Sequence, residues 1–222
     1  MPAEPPATPW VFPNSESATQ DLIAVGADLE PGTLLAAYRS GLFPMPLMRN
    51  SAIGWFSPQD RAVLPLEGLR VTRSMRQSAR RYDVTVDRAF AAIVKGCAHP
   101  ARQGAWIDRQ MTEAYGRLNT LGWAHSIEVW TRDGRLGGGL YGVAIGGLFC
   151  GESMFYRARD ASKVALMALV DLLADGEPDR VLDVQWSTPH LGSLGVVEIG
   201  RVAYLERLEA ALATPLPAIW RR

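Results

Sequence analysis

Cysteine is almost missing: Cys97 and Cys150 are the only two in 222 residues. They are too few and too widely separated for a disulfide framework or a zinc site, so a reducing compartment, the cytoplasm, is expected. An excess of charge of either sign is missing as well, since 23 Lys and Arg balance 23 Asp and Glu. The molecule as a whole therefore exerts no long-range pull on phosphates, and any contact with RNA must come from a local basic patch. No stretch approaches the roughly 18 to 20 consecutive apolar residues of a membrane-crossing helix. The first ten residues, rich in Pro and Ala, lack the basic start and apolar run of an export signal, so a soluble protein is expected. The three histidines, His99, His125 and His190, show no HExxH or other metal-ligand spacing, and no metal site is expected.

What is present is the composition of an ordinary globular protein, 48% apolar and 21% charged. The length suits one catalytic domain with a small appended one. Residues 1–62 carry many Pro and Gly and read as a small, loop-rich domain whose clearest helix spans residues 31–40. Pro31 stands at its first turn and Gly41 after its end. Residues 63–222 read as the catalytic domain. Helices are expected over 73–81, 87–98 and 108–121, the last two beginning at Asp caps. Residues 125–131 alternate as a strand does, and 135–144 and 148–155 form a hairpin through Gly146 and Gly147. The segment 161–174 is apolar on most sides and reads as a helix lying on that sheet, with 180–186 returning as a strand. The expected class is α+β, a mainly antiparallel sheet flanked by helices, like that of the superfamily containing the acetyl-CoA-dependent N-acetyltransferases.

Two places carry unexpected polarity. Glu152 lies in the apolar run GGLYGVAIGGLFCGESMF, where an ionised carboxylate is costly unless paired. Either Lys163 or Arg157 neutralises it, or it awaits a cation such as a substrate ammonium. In LDVQW, alternation puts Asp183 and Gln185 on one face, opposite Leu182, Val184 and Trp186. A carboxylate beside an amide can hold an amine and orient it toward an electrophile, although a solvated sheet face has the same pattern. Cys150, in an apolar strand, should keep its proton and stay inert. Arg73, Arg76 and Arg80 are spaced three and four apart on one helix face and, with Arg70 and Arg81, form a basic stripe that fits a phosphate backbone or simply water. The glycine pairs match no phosphate-binding loop, and residues 156–163, where an acetyl-CoA enzyme would hold its pyrophosphate, contain no glycine.

Taken together, GLFPM (41–45), WFSPQDRAVLPLE (55–67), AHSIEVW (124–130), GGLYGVAIGGLFCGESMF (138–155), ASK (161–163) and HLGSLG (190–195) resemble the bacterial leucyl/phenylalanyl-tRNA-protein transferase family over almost the whole chain. That resemblance implies two domains, the second with an N-acetyltransferase-like fold. The implied reaction is transfer of leucine or phenylalanine from aminoacyl-tRNA to proteins beginning with Arg or Lys, which marks them for degradation under the N-end rule; because an apolar pocket separates similar side chains weakly, some methionine transfer is expected as well. The resemblance implies no metal or diffusible cofactor; no membrane contact and a monomer are expected. Asp183 and Gln185 match the family's acid and amide pair, and Glu152 its carboxylate in the cleft. Leu140, Phe149, Leu169 and Leu173 match the apolar pocket, and Tyr38, Trp106 and Tyr115 the surroundings of the terminal adenosine or reacting groups. Arg73, Arg76, Arg80 and Arg81 would then bind the tRNA. Two positions depart from the pattern: Met45 where an aromatic is usual, and Val184 where a cysteine is familiar. An acetyl-CoA-dependent acetyltransferase and a non-catalytic RNA-binding adaptor are the rival classes.

Overall fold

The computed structural model describes residues 1–48, 52–101 and 106–221. Pro31 presets the first turn of α1 (Pro31–Arg39), which buries Leu34, Leu35, Ala37 and Tyr38. Beside it, β1 (Leu22–Val25), β2 (Phe43–Pro46) and β3 (Ile53–Phe56) make an antiparallel sheet in the order β1-β3-β2. The loop-rich reading of this region missed the sheet for a physical reason. Pro44 and Pro46 argue against a strand, but β2 is at the sheet's edge, where a missing N–H costs no ladder bond.

The second sheet has seven strands. Their ranges are β4 (Asp60–Val63), β5 (Tyr82–Val86), β6 (Ala124–Thr131), β7 (Leu136–Ile145), β8 (Leu148–Tyr156), β9 (Val181–Gln185) and β10 (Val197–Gly200). The order is β10-β4-β9-β8-β7-β6-β5, and only the β8–β9 pair is parallel. The glycine hairpin falls at Gly146 and Gly147 as expected, with Ile145 opposite Leu148. Helix α5 (Ala161–Leu173) makes the crossover from β8 to β9. The fold is thus α+β with a mainly antiparallel sheet.

Side-chain alternation along β7 divides the core. Tyr141, Val143 and Ile145 pack with α1, α3 (Phe90–Cys97) and α4 (Arg109–Thr120), whereas Leu140 and Ala144 pack with α5. Helix α2 (Arg73–Ala79) sits beside α5, its Ser78 hydroxyl donating to Asp160 at 2.9 Å. Helix α6 (Pro189–Leu194) packs Leu194 into the core shared with α5, whereas α7 (Arg201–Ala213) packs Tyr204, Leu208 and Ala211 against Val63, Leu148 and Val181.

The two Asp caps fare differently. Asp108 accepts the Met111 N–H at 2.9 Å and starts α4 as expected. Asp87 does not cap α3, which begins at Phe90. Its backbone is left-handed (φ 56°), and its carboxylate faces β6, accepting the Ser126 N–H at 2.8 Å and meeting His125 Nδ1 at 2.7 Å.

Helix α3 approaches the sheet closely because Gly139 offers no side chain. A Cβ there would lie 2.4 Å from both Ile93 Cδ1 and the Ile127 carbonyl oxygen. The Gly139→Ala substitution should therefore lower stability by about 1–3 kcal/mol, the usual cost of overpacking. Urea titration should show a lower midpoint with an unchanged slope.

Candidate active site

Parallel pairing between β8 and β9 lasts only from Leu148–Val181 through Phe149–Leu182 to Cys150–Asp183. Beyond it β8 continues to Tyr156 alongside β7, while β9 ends at Gln185, so the strands part. Each strand carries an irregularity at this point. Gly142 faces Gly151 but Tyr141 faces Ser153, which makes Glu152 the extra residue of a bulge; Ala62 faces Gln185 but Val63 faces Asp183, which does the same for Val184. Bulges re-aim side chains, and these two stand on either side of the opening.

A cavity of about 860 Å³ fills the gap. Its α5 side is apolar, formed by Leu140, Leu166, Leu169, Leu182 and Val184, and Glu152 and Gln185 supply polar groups where the strands separate. The exposed His99, Tyr156, Arg157 and His190 also line it. The chemistry such a space accepts is a ligand with an apolar branch and a cationic or hydrogen-bonding head.

Neither Lys163 nor Arg157 neutralises Glu152. Lys163 bonds Asp160 at 3.2 Å, and the Arg157 guanidinium stands 5.4 Å over the Phe155 ring. Instead the Tyr38 hydroxyl donates to Glu152 Oε1 at 2.7 Å and the Tyr115 hydroxyl to Oε2 at 2.5 Å. The two tyrosine oxygens are 2.9 Å apart. Burial pushes the Glu152 carboxyl up to about 7, against the pull of the two hydroxyls, with Asp183 nearby adding to the rise.

Asp183 and Gln185 both reach Cys150, although the bulge at Val184 interrupts the alternation between them. The Cys150 thiol donates to Asp183 Oδ2 at 3.2 Å, and Gln185 Nε2 donates to the sulfur at 3.1 Å. Burial, Asp183 and Glu152 push that thiol well above its ordinary range, so it stays protonated. The two residues differ in freedom. Asp183 is fully enclosed: Arg61 Nε donates to Oδ1 at 2.9 Å and Nη2 to Oδ2 at 2.6 Å, Tyr204 donates at 2.8 Å, and the Gln185 N–H donates at 2.9 Å. Burial alone would raise its carboxyl, yet Arg61 and these donors hold it below the ordinary value. Gln185 has a left-handed backbone (φ 61°), a strained state for a non-glycine residue, and its amide points to Glu152 Oε1 at 3.5 Å. That turn also sends Trp186 away from its expected side, to pack edge-on against Phe43 and Phe56.

The remaining candidates are dispersed. Leu140 and Leu169 line the cavity; Phe149 and Leu173 lie in the core behind it, Phe149 stacked on Trp220. Tyr38 and Tyr115 are enclosed at Glu152, whereas Trp106 borders a smaller pocket with Pro46, Met48 and Asp108. Arg73, Arg76, Arg80 and Arg81 are all exposed. Arg132 donates to the Arg80 carbonyl at 2.9 Å and the Tyr82 hydroxyl to that of Arg159 at 2.8 Å, which enlarges the basic surface beside α2. Sequence reasoning missed Arg61, Tyr204, Arg132 and Arg159. Only a pairing partner for Asp183 was a foreseeable need, and nothing in the pattern pointed to a residue so far along the chain.

A family model described as leucyl/phenylalanyl-tRNA protein transferase matches residues 63–209, and one for the N-terminal domain of the same enzymes matches 27–59. Relatives described by that name include proteins of Stutzerimonas stutzeri (46% identical, 95% of each chain covered) and Shigella dysenteriae (46% identical, 93% of this chain and 89% of the relative). Another, from Maridesulfovibrio salexigens, is 45% identical over 92% of this chain and 87% of its own. Among solved structures, that of L-PGS from Bacillus licheniformis aligns with 81% of this chain and 62% of its own at 12% identity and a TM-score of 0.36.

The two carboxylates respond oppositely to pH. Asp183 is held low, so the stability it contributes is intact at neutral pH and is lost only as pH falls below the ordinary Asp range. Glu152 is held high, so the fold loses stability as pH rises from about 4.5 to about 7 and is level above that. Relative to the parent, Glu152→Gln should thus be more stable at pH 8 than at pH 4, by on the order of 1–3 kcal/mol in thermal unfolding. Asp183→Ala, which strands a buried guanidinium, should cost about 3–5 kcal/mol in chemical denaturation at pH 7, and Gln185→Ala about 1 or less.

Proposed function

Because the chain belongs to the leucyl/phenylalanyl-tRNA-protein transferase family, we propose that it moves leucine or phenylalanine from charged tRNA onto N-terminal Arg or Lys of acceptor proteins. The observation that carries this reading is the cavity itself, apolar toward α5 and polar at Glu152 and Gln185. Leu140, Leu166, Leu169, Leu182 and Val184 take the side chain of the donor amino acid, and Phe149 and Leu173 support that wall from behind. The reacting ester then lies where the strands part, with the Gln185 amide positioned to orient the attacking amine. Asp183 acts through Gln185: its carboxylate accepts the Gln185 N–H and keeps the residue in its strained turn.

An aminoacyl ester is already activated, so placing the amine 3–3.5 Å from its carbonyl and removing one proton supply most of what the reaction needs. No covalent intermediate on the protein is required. The basic surface of Arg73, Arg76, Arg80 and Arg81 holds the tRNA backbone, a local charge that the net neutrality of the chain permits. Trp106 and Met45 belong to the path of the terminal nucleotides, methionine offering polarizable contact without an aromatic face. In this reading a small unit ends near residue 62, as β4 enters the large sheet, and the enzyme is a cytoplasmic monomer that tags proteins for degradation. An acetyl-CoA enzyme fits less well. The start of α5 presents Asp160, a carboxylate, where a pyrophosphate would need to sit.

Purified protein mixed with radiolabelled leucyl-tRNA should label a peptide beginning with Arg and leave one beginning with Ala unlabelled. Methionyl-tRNA should react more slowly, since an apolar pocket separates similar side chains by only about 1–3 kcal/mol. Transfer to neither peptide would refute the reading. Arg76→Ala and Arg80→Ala should each raise KM for charged tRNA without lowering kcat, and each should reduce the slope of log affinity against log salt by about 1.

A further inference from the structure

The attacking amine arrives as an ammonium and must lose a proton before it has a lone pair to offer. Three groups stand near the place where it reacts, and the geometry separates them. Asp183 has no surface toward the cavity, and its two oxygens receive Arg61, Tyr204, the Gln185 N–H and the Cys150 thiol. Gln185 is an amide and a very weak proton acceptor. Glu152 is the carboxylate that lines the cavity, and it stands 3.5 Å from the Gln185 amide.

The oxygens around Glu152 close into a ring: Oε1 to the Tyr38 hydroxyl at 2.7 Å, that hydroxyl to the Tyr115 hydroxyl at 2.9 Å, and the latter to Oε2 at 2.5 Å. Counting protons shows what this ring is built for. With Glu152 ionised, both tyrosines donate to the carboxylate, and two protons serve three contacts. The two tyrosine oxygens then face each other at hydrogen-bond distance with nothing between them. With Glu152 protonated, its proton goes to Tyr115, that of Tyr115 turns to Tyr38, and that of Tyr38 remains on the other carboxyl oxygen. Three protons then serve three contacts, and no heavy atom has moved. Burial drives both tyrosine hydroxyls well above their ordinary range, so neither gives up its own proton.

We propose that Glu152 is the base of the transfer reaction and that Tyr38 and Tyr115 are positioning residues whose ring is completed by the proton it takes. This rests on the aminoacyl-transfer reading given above. The ammonium passes one proton to Glu152, and the resulting amine attacks the ester carbonyl. A C–N bond forms, the bond from carbonyl carbon to ribose oxygen breaks, and the second proton leaves the nitrogen for the departing ribose oxygen. The proton on Glu152 is released to water before the next cycle, so one proton is produced per peptide bond.

The test is single-turnover transfer from leucyl-tRNA to a saturating Arg-initiated peptide, followed from pH 5.5 to 9. The parent enzyme must react at pH 8.5; if it does not, the transfer reading fails and the base is moot. Given that, Glu152→Gln should slow the bound step by about 10²-fold, a usual contribution of a general base, with KM for the peptide little changed. Its acidic limb should move toward the titration of the bound amine alone. Tyr115→Phe should keep most of the rate at pH 9 yet move the acidic limb, because the hydroxyl that meets both the Glu152 carboxyl and Tyr38 has gone. Tyr38→Phe serves the same purpose should Tyr115→Phe fail to fold by circular dichroism. The proposal is overturned if Glu152→Gln reacts within tenfold of the parent with its limb unmoved, if it raises KM alone, or if the limb stays in place in the folded tyrosine variant.

Discussion

The contact between Arg61 and Asp183 organises much of what surrounds the cavity. Arg61 comes from β4 and Asp183 from β9, and both are almost wholly buried. The guanidinium also donates to the Gly41 carbonyl at 3.0 Å, in the turn leading from α1 to the small sheet, and lies 4.7 Å over Phe43 and 4.4 Å over Tyr204. One side chain thereby joins the small sheet, the large sheet and α7. A buried pair of charges is costly to form, and it holds only because its members are saturated with hydrogen bonds and with aromatic faces. Its value here is positional. It fixes the end of β9, and with it the strained turn at Gln185.

From that fixed point the local chemistry follows. Asp183 is so well satisfied that it serves as scaffold, whereas Glu152, a short distance across the gap, is supplied with too few donors to be comfortable when ionised. Two carboxylates in one small region are thus pushed in opposite directions, which is how a site obtains both a permanent charge and a titratable one. Cys150 links Asp183 to the Gln185 amide as a buried, protonated bridge.

Much of this was legible in the sequence where the cause is local. The glycine pair fixed the hairpin, the Asp108 cap marked a helix start, and the strand expected over 180–186 brought Asp183 and Gln185 to one sulfur, although the bulge at Val184 broke the alternation and left Gln185 on the cavity side with Leu182 and Val184. The family likeness was legible in ordered motifs along the whole chain. What could not be read depended on distance. Glu152 meets Tyr38 and Tyr115, 114 and 37 residues away, and Asp183 meets Arg61 across 122. The bulge at Glu152 has no signature in composition, and β2 was hidden by prolines that only an edge strand tolerates. Asp87 misled because it looks like a cap and serves instead as an anchor for β6.

The short run of parallel pairing between β8 and β9 has a mechanical side. The large sheet consists of two plates, one of β10, β4 and β9 and one of β8, β7, β6 and β5, riveted together by three residue pairs. The cavity occupies the unriveted length. Glu152 and Gln185 stand on opposite plates just past that seam, 3.5 Å apart. The aperture of the site is accordingly set by where the pairing of Leu148, Phe149 and Cys150 with Val181, Leu182 and Asp183 stops, and the Arg61–Asp183 contact, made within one plate, fixes that plate's edge.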